Sequence, residues 1–99
     1  MATTQLDADR WTLVHLRGEI DLATAPALDR ELTTLRDRGA QRLWLDLAEV
    51  TFLDASGVRV LCRTAGALDA AGGGLELVGP RGMVRRVLEI TGLGGLIAF

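Results

Sequence analysis

The sequence predicts one α/β domain spanning residues 1–99, built on a mainly parallel central sheet with βα crossovers and an extra strand at its N-terminal edge. Three observations carry this. Segments with strand alternation and segments with helical spacing follow one another along the chain. Glycines and short polar residues stand at the junctions between them. Ninety-nine residues allow a single core, and 48% hydrophobic against 24% charged is the balance of a folded globule.

Each element has its own signal. Thr4 to Asp7 reads as an edge strand. In "WTLVHLR", residues 11–17, Thr12, Val14 and Leu16 alternate with Trp11, Leu13, His15 and Arg17, as in a half-buried strand. From Ala25 to Arg38, Leu28, Leu32 and Leu35 recur at helical spacing, with Thr24 as the expected cap and Gly39 as the stop. "RLWLDL", residues 42–47, is apolar on both alternations and predicts a mid-sheet strand covered on both faces. Val58, Leu61, Cys62, Ala65 and Leu68 predict the buried stripe of a second helix, ended by "GGG" at 72–74. "LELV", 75–78, is a further strand. Pro80 suits the first turn of a third helix with Val84, Val87 and Leu88 inward and Gly92 at its end. "LIAF" is expected to close the fold as a short strand.

Parallel strands point the same way, so the loops at 18–24, 48–56 and 79–80 are expected at one rim of the sheet. Ser56, "GEID" and "GP" would then be neighbours.

Composition excludes several function classes. A formal net charge of −2, with eleven arginines and no lysine, provides no electrostatic footprint for nucleic acid. The missing lysine removes Schiff-base chemistry and the phosphate-binding loop. Cys62 is the only cysteine and cannot form an internal disulfide, and the polar opening has no apolar signal-peptide core, so a cytoplasmic protein is expected. No stretch is long enough for a membrane span. "GPRG", 79–82, lacks the full dinucleotide fingerprint, and no cofactor, metal site or catalytic residue is expected.

The stretch "FLDASGVRVL", 52–61, holds the chemistry. With Asp54 as N-cap, Leu53 and Val58 take the two positions of a hydrophobic staple and Ser56 becomes the second helical residue, its hydroxyl free. The rival register caps with Ser56 and pairs Ala55 with Val60, a weaker staple. A free hydroxyl near unpaired amides at the positive end of a helix suits a phosphate group, while a plain turn residue fits the same spacing. A nucleophile fits poorly: the elbow pattern needs glycine two positions before the serine, where Asp54 stands, and the only histidine, His15, lies on a strand and reads as structural. Asp46 reads as a solvated or loop-bonding residue. Arg59 and Arg63 continue the Ser56 face, either as solvent surface or as a partner contact.

"GEIDLATAP", "LWLDLAEVTFLDASGVRVL" and "ITGLGGLIAF", in that order and spacing, resemble a STAS domain of the bacterial anti-sigma factor antagonist type across nearly the whole chain. The resemblance implies a partner-switching role. The antagonist binds an anti-sigma factor with serine kinase activity, frees the sigma factor, and is dissociated when the kinase phosphorylates it. The family's acceptor, the hydroxyl residue just before the glycine of "DSSG" or "DSTG", falls on Ser56. Ala55 departs from that motif, where another hydroxyl residue is frequent. The expected contact surface comprises Asp21, Asp54, Ser56, Gly57 and Arg59. A STAS interaction module that serves as scaffold or transporter accessory, without phosphorylation, would share the same fold.

Overall fold

A computed structural model describes residues 2–6 and 11–98 of the chain. The order is β1 (Ala2–Leu6), β2 (Trp11–Ile20), α1 (Ala25–Asp37), β3 (Arg42–Leu53), α2 (Ala55–Ala70), β4 (Gly74–Val78) and α3 (Gly82–Ile90), followed by a 3-10 turn at Gly94–Leu96. The strands lie in that order across one sheet, with β1 antiparallel to β2 and the remaining pairs parallel. The predicted α/β architecture with an N-terminal edge strand is therefore present. The edge strand spans Ala2–Leu6; Asp7 lies outside the described residues.

One continuous core explains the arrangement. Val14, Leu16, Leu43, Leu45, Leu75 and Leu77 point to the same side of the sheet and are buried beneath helical residues such as Leu28, Leu32, Leu61 and Leu68. Val84 and Leu88 of α3 join the same cluster. Each buried Leu or Val contributes about 1.5–3 kcal/mol relative to exposure, which gives so small a domain its stability.

Several expectations are corrected. The central strand β3 is covered on one face only. Trp44 and Asp46 stand on the open face, where Trp11 and Trp44 stack with centroids 4.8 Å apart and Trp44 Nε1 donates to Glu76 Oε1 at 2.7 Å. The apolar look of "RLWLDL" came from a tryptophan that shields its partner strand instead of entering a second core.

On α2 the buried positions are Gly57, Val60, Leu61, Thr64 and Leu68, and Cys62 is exposed. Pro80 precedes α3 instead of entering it, since the helix begins at Gly82 behind Arg81. "LIAF" forms no full strand: the chain winds into the 3-10 turn, and a single bridge from Ile97 to Leu77 extends the sheet. Phe99 lies outside the described residues.

Candidate functional site

The strands run further than their periodicity shows, and this shapes the rim. β2 continues through "GEI" to Ile20, and β3 continues to Leu53. Between His15 and Arg17, and again between Gly18 and Glu19, β3 gains one residue on β2. These two bulges bend the strand and break its alternation, so Val50 and Leu53 face inward at a spacing of three. Only Asp54 then separates β3 from α2.

Asp54 joins three elements at one point. Its amide donates to the Ile20 carbonyl at 3.2 Å, and its Oδ1 accepts from the amides of Ser56 at 2.8 Å and Gly57 at 3.4 Å. The first of the two capping registers is the one adopted. Ser56 is the second helical residue, half-buried, and its hydroxyl has no capping duty. The amides expected to be free around it are already used by Asp54, so this helix start offers less to an anion than the pattern implied.

Gly57, expected among the contact residues, is buried at the start of α2. A Cβ there would lie 2.5 Å from Leu53 Cδ1 and 2.6 Å from Ile20 Cγ2. The missing side chain lets α2 close onto the ends of β2 and β3 and so sets where Ser56 sits. Arg59 is exposed on the next turn.

Asp21 follows Ile20 directly, so it shares the end of the sheet with Asp54. Its Oδ1 accepts from the amides of Ala23 and Thr24, both at 3.0 Å, and its carbonyl accepts from Ala25 N at 2.8 Å. Asp21 thereby takes over the work expected of Thr24. The Thr24 side chain makes no cap bond to α1; it accepts from the Asp21 amide and donates to the Glu19 carbonyl, each at 2.9 Å. Asp21→Ala is expected to cost about 1 kcal/mol of stability, read from a urea midpoint, because both amides lose their acceptor.

The "GP" turn is not part of this constellation. β4 pairs with β3 only as far as Asp46, and Gly79, at φ +67, packs with its α-carbon facing Ala48. Arg81 Nη2 donates to the Ala48 carbonyl at 3.0 Å. β3 carries the Ser56 loop roughly 15 Å beyond that point.

His15 is also removed from Ser56. It stands on the open sheet face, Nδ1 lying 2.9 Å from Asp46 Oδ2, while Asp46 Oδ1 accepts from Ala48 N at 3.0 Å. Asp46 is thus the loop-bonding residue expected, and the histidine is held on the opposite side of the sheet from α2.

Two features were not singled out from sequence. An open groove of about 290 Å³ runs between α1 and α2, lined by Leu22, Pro26 and Asp29 on one side and Ser56, Arg59 and Arg63 on the other. Arg63 Nη2 meets Asp29 Oδ2 across it at 3.2 Å. Leu22 is 76% exposed and Phe52 37% exposed at the same end of the sheet. A bare leucine inside the turn "IDLATAP" was the available signal.

A family model described as STAS domain matches residues 2–99. The chain belongs to the STAS domain family. This STAS domain is 33% identical over 95 residues to the anti-sigma-B factor antagonist of Staphylococcus aureus (strain NCTC 8325 / PS 47), covering 96% of this chain and 85% of that protein. It superposes on an anti-sigma factor antagonist from Mycobacterium paratuberculosis with a TM-score of 0.84 at 32% identity, covering 98% and 81% of the two chains.

Its fold is also that of the anti-sigma factor antagonist SpoIIAA. The TM-score is 0.87 against the unphosphorylated form (23% identity, 99% of this chain and 86% of the other). Against the phosphorylated Bacillus form it is 0.79 (22% identity, 99% and 89%). Within the STAS family the chain therefore falls among the anti-sigma factor antagonists. Among the described residues no helix is long and apolar enough to cross a membrane.

Proposed function

We propose that this STAS domain is an anti-sigma factor antagonist that works by partner switching. Unphosphorylated, its rim binds an anti-sigma factor that is also a serine kinase, and that binding frees a sigma factor. The kinase then moves the γ-phosphoryl of ATP onto Ser56 Oγ. The bond from that phosphorus to the ADP oxygen breaks, and the hydroxyl proton passes to a base of the kinase. The phosphorylated rim releases the partner.

The observation that carries this reading is the division of labour at the start of α2. Asp54 takes the capping bonds and leaves Ser56 half-buried beside a groove, with its hydroxyl uncommitted among the described residues. The exposed Leu22 supplies apolar contact in that groove, the exposed Phe52 adds apolar surface at the same end of the sheet, and Asp21, Asp54 and Arg59 supply charge. The role is regulatory binding, without catalysis by this chain.

Incubating the protein with its cognate kinase and ATP, followed by intact-mass measurement, tests the site. Wild type is expected to gain one phosphoryl group and Ser56→Ala none. Equal gain by both proteins would move the acceptor elsewhere, and no gain by either would leave an unphosphorylated interaction module.

A further inference from the structure

We propose that a phosphoryl group on Ser56 is held by Arg59 in an ion pair within the same helix. Phosphorylation would then withdraw a cation from the partner-facing rim in addition to placing negative charge there. This rests on the reading of Ser56 as the phosphoacceptor.

The backbone is the first candidate to hold such a phosphate, and it is largely occupied. The amides of Ser56 and Gly57 already donate to Asp54 Oδ1. A dianion attached at Ser56 therefore needs a side-chain cation, and the groove contains two. Arg63 is engaged with Asp29 of α1 at 3.2 Å. Arg59 is exposed and, among the described residues, has no ion pair.

Arg59 follows Ser56 by three positions and lines the same groove. Residues at that spacing on a helix have Cβ atoms about 5–6 Å apart, a span that a phosphoserine and an arginine bridge easily. The planar guanidinium can donate two parallel bonds to phosphate oxygens.

The remaining charged groups around the groove sharpen the assignment. Asp29 is neutralised by Arg63, Asp54 is committed to the cap, and Asp21 is committed to its turn. All three are acidic, and among the described residues lining the groove Arg59 is the cation without an ion pair that the phosphate can meet. In the unphosphorylated protein the same guanidinium is available to an acidic group of the partner. It cannot serve both.

The test installs phosphoserine at position 56 by genetic-code expansion, so that it needs no kinase. The second ionisation of the phosphate, near pH 6, is followed by phosphorus NMR. A neighbouring arginine favours the dianion and lowers that pKa. Wild type is expected to titrate about half a unit below Arg59→Gln at low salt, with the gap closing at high salt. Arg85→Gln, on α3 beside Glu89 at 3.5 Å, is the control and should leave the titration unchanged. Superimposable curves for wild type and Arg59→Gln would overturn the ion pair, as would an equal rise in Arg85→Gln. A kinase that ignores Ser56 would instead overturn the proposed function and leave this titration standing.

Discussion

Phosphorylation at Ser56 is expected to weaken binding of the anti-sigma factor a few hundredfold, from micromolar into the range of hundreds of micromolar or beyond. A micromolar complex is held by about 8 kcal/mol, so a penalty of about 3–4 kcal/mol is enough. The phosphate brings −1.5 to −2 charges to a rim that already carries Asp54 and Asp21. Burying that charge against a partner costs desolvation that no new contact repays. Calorimetry on the phosphoprotein, wild type and Ser56→Ala gives the result. Ser56→Ala is expected to bind like the unphosphorylated protein, and Ser56→Asp to fall between the two because one carboxylate carries less charge. A phosphoprotein that binds as tightly as wild type contradicts the switch.

The second large effect concerns folding at the same site. Gly57→Val is expected to destabilise the domain by about 3 kcal/mol, seen as a lower urea midpoint with little change in slope. Even the first carbon of the new side chain would lie 2.5 Å from Leu53 Cδ1 and 2.6 Å from Ile20 Cγ2. Both neighbours are at most 2% exposed, so neither has room to turn away. Valine has a slightly better helix propensity than glycine, by a few tenths of a kcal/mol, which offsets little of the clash. Relief would come from lifting the start of α2 off the sheet, and that movement would carry Ser56 out of register with the rim. The folded fraction is therefore also expected to be phosphorylated more slowly. An unchanged midpoint would show that α2 does not depend on this close approach.

What the sequence revealed and what it hid follow from different kinds of physics. The register at Asp54 was legible because a cap and a staple constrain each other locally, and Leu53 and Val58 discriminated between the two possibilities. The helix from Ala25 was legible for a similar reason, since Leu28 and Leu32 repeat without interruption. The two bulges in β3 were hidden, because an extra residue in a strand leaves no mark except a broken alternation, and "AEVTFL" looks like a loop when read alone. Position along the rim was hidden as well. Strand direction brings "GEID" and "DASG" together, but only the length of β3 beyond its pairing with β4 shows that "GPRG" stays behind.

The open sheet face is hidden in the sequence for a subtler reason. Trp44 counts as apolar in any pattern, yet it stacks on Trp11 and donates to Glu76 at the surface. Cys62, small and apolar, fits a buried stripe by residue type, whereas Val60 and Thr64 occupy that side. In both cases the residue type allowed two environments, and a contact distant in sequence chose between them. The groove between α1 and α2 belongs to the same class, since Asp29 and Arg63 meet only after both helices have packed.

The proposed switch turns on one hydroxyl, and a sigma-release assay tests it most directly. The sigma factor is held in complex with the kinase anti-sigma factor, and this STAS domain is added with and without ATP. Wild type is expected to release the sigma factor at once and then, with ATP present, to lose that effect as Ser56 becomes phosphorylated. Ser56→Ala should keep the sigma factor free for the whole course. Release by wild type and Ser56→Ala that decays at the same rate in ATP would contradict the account.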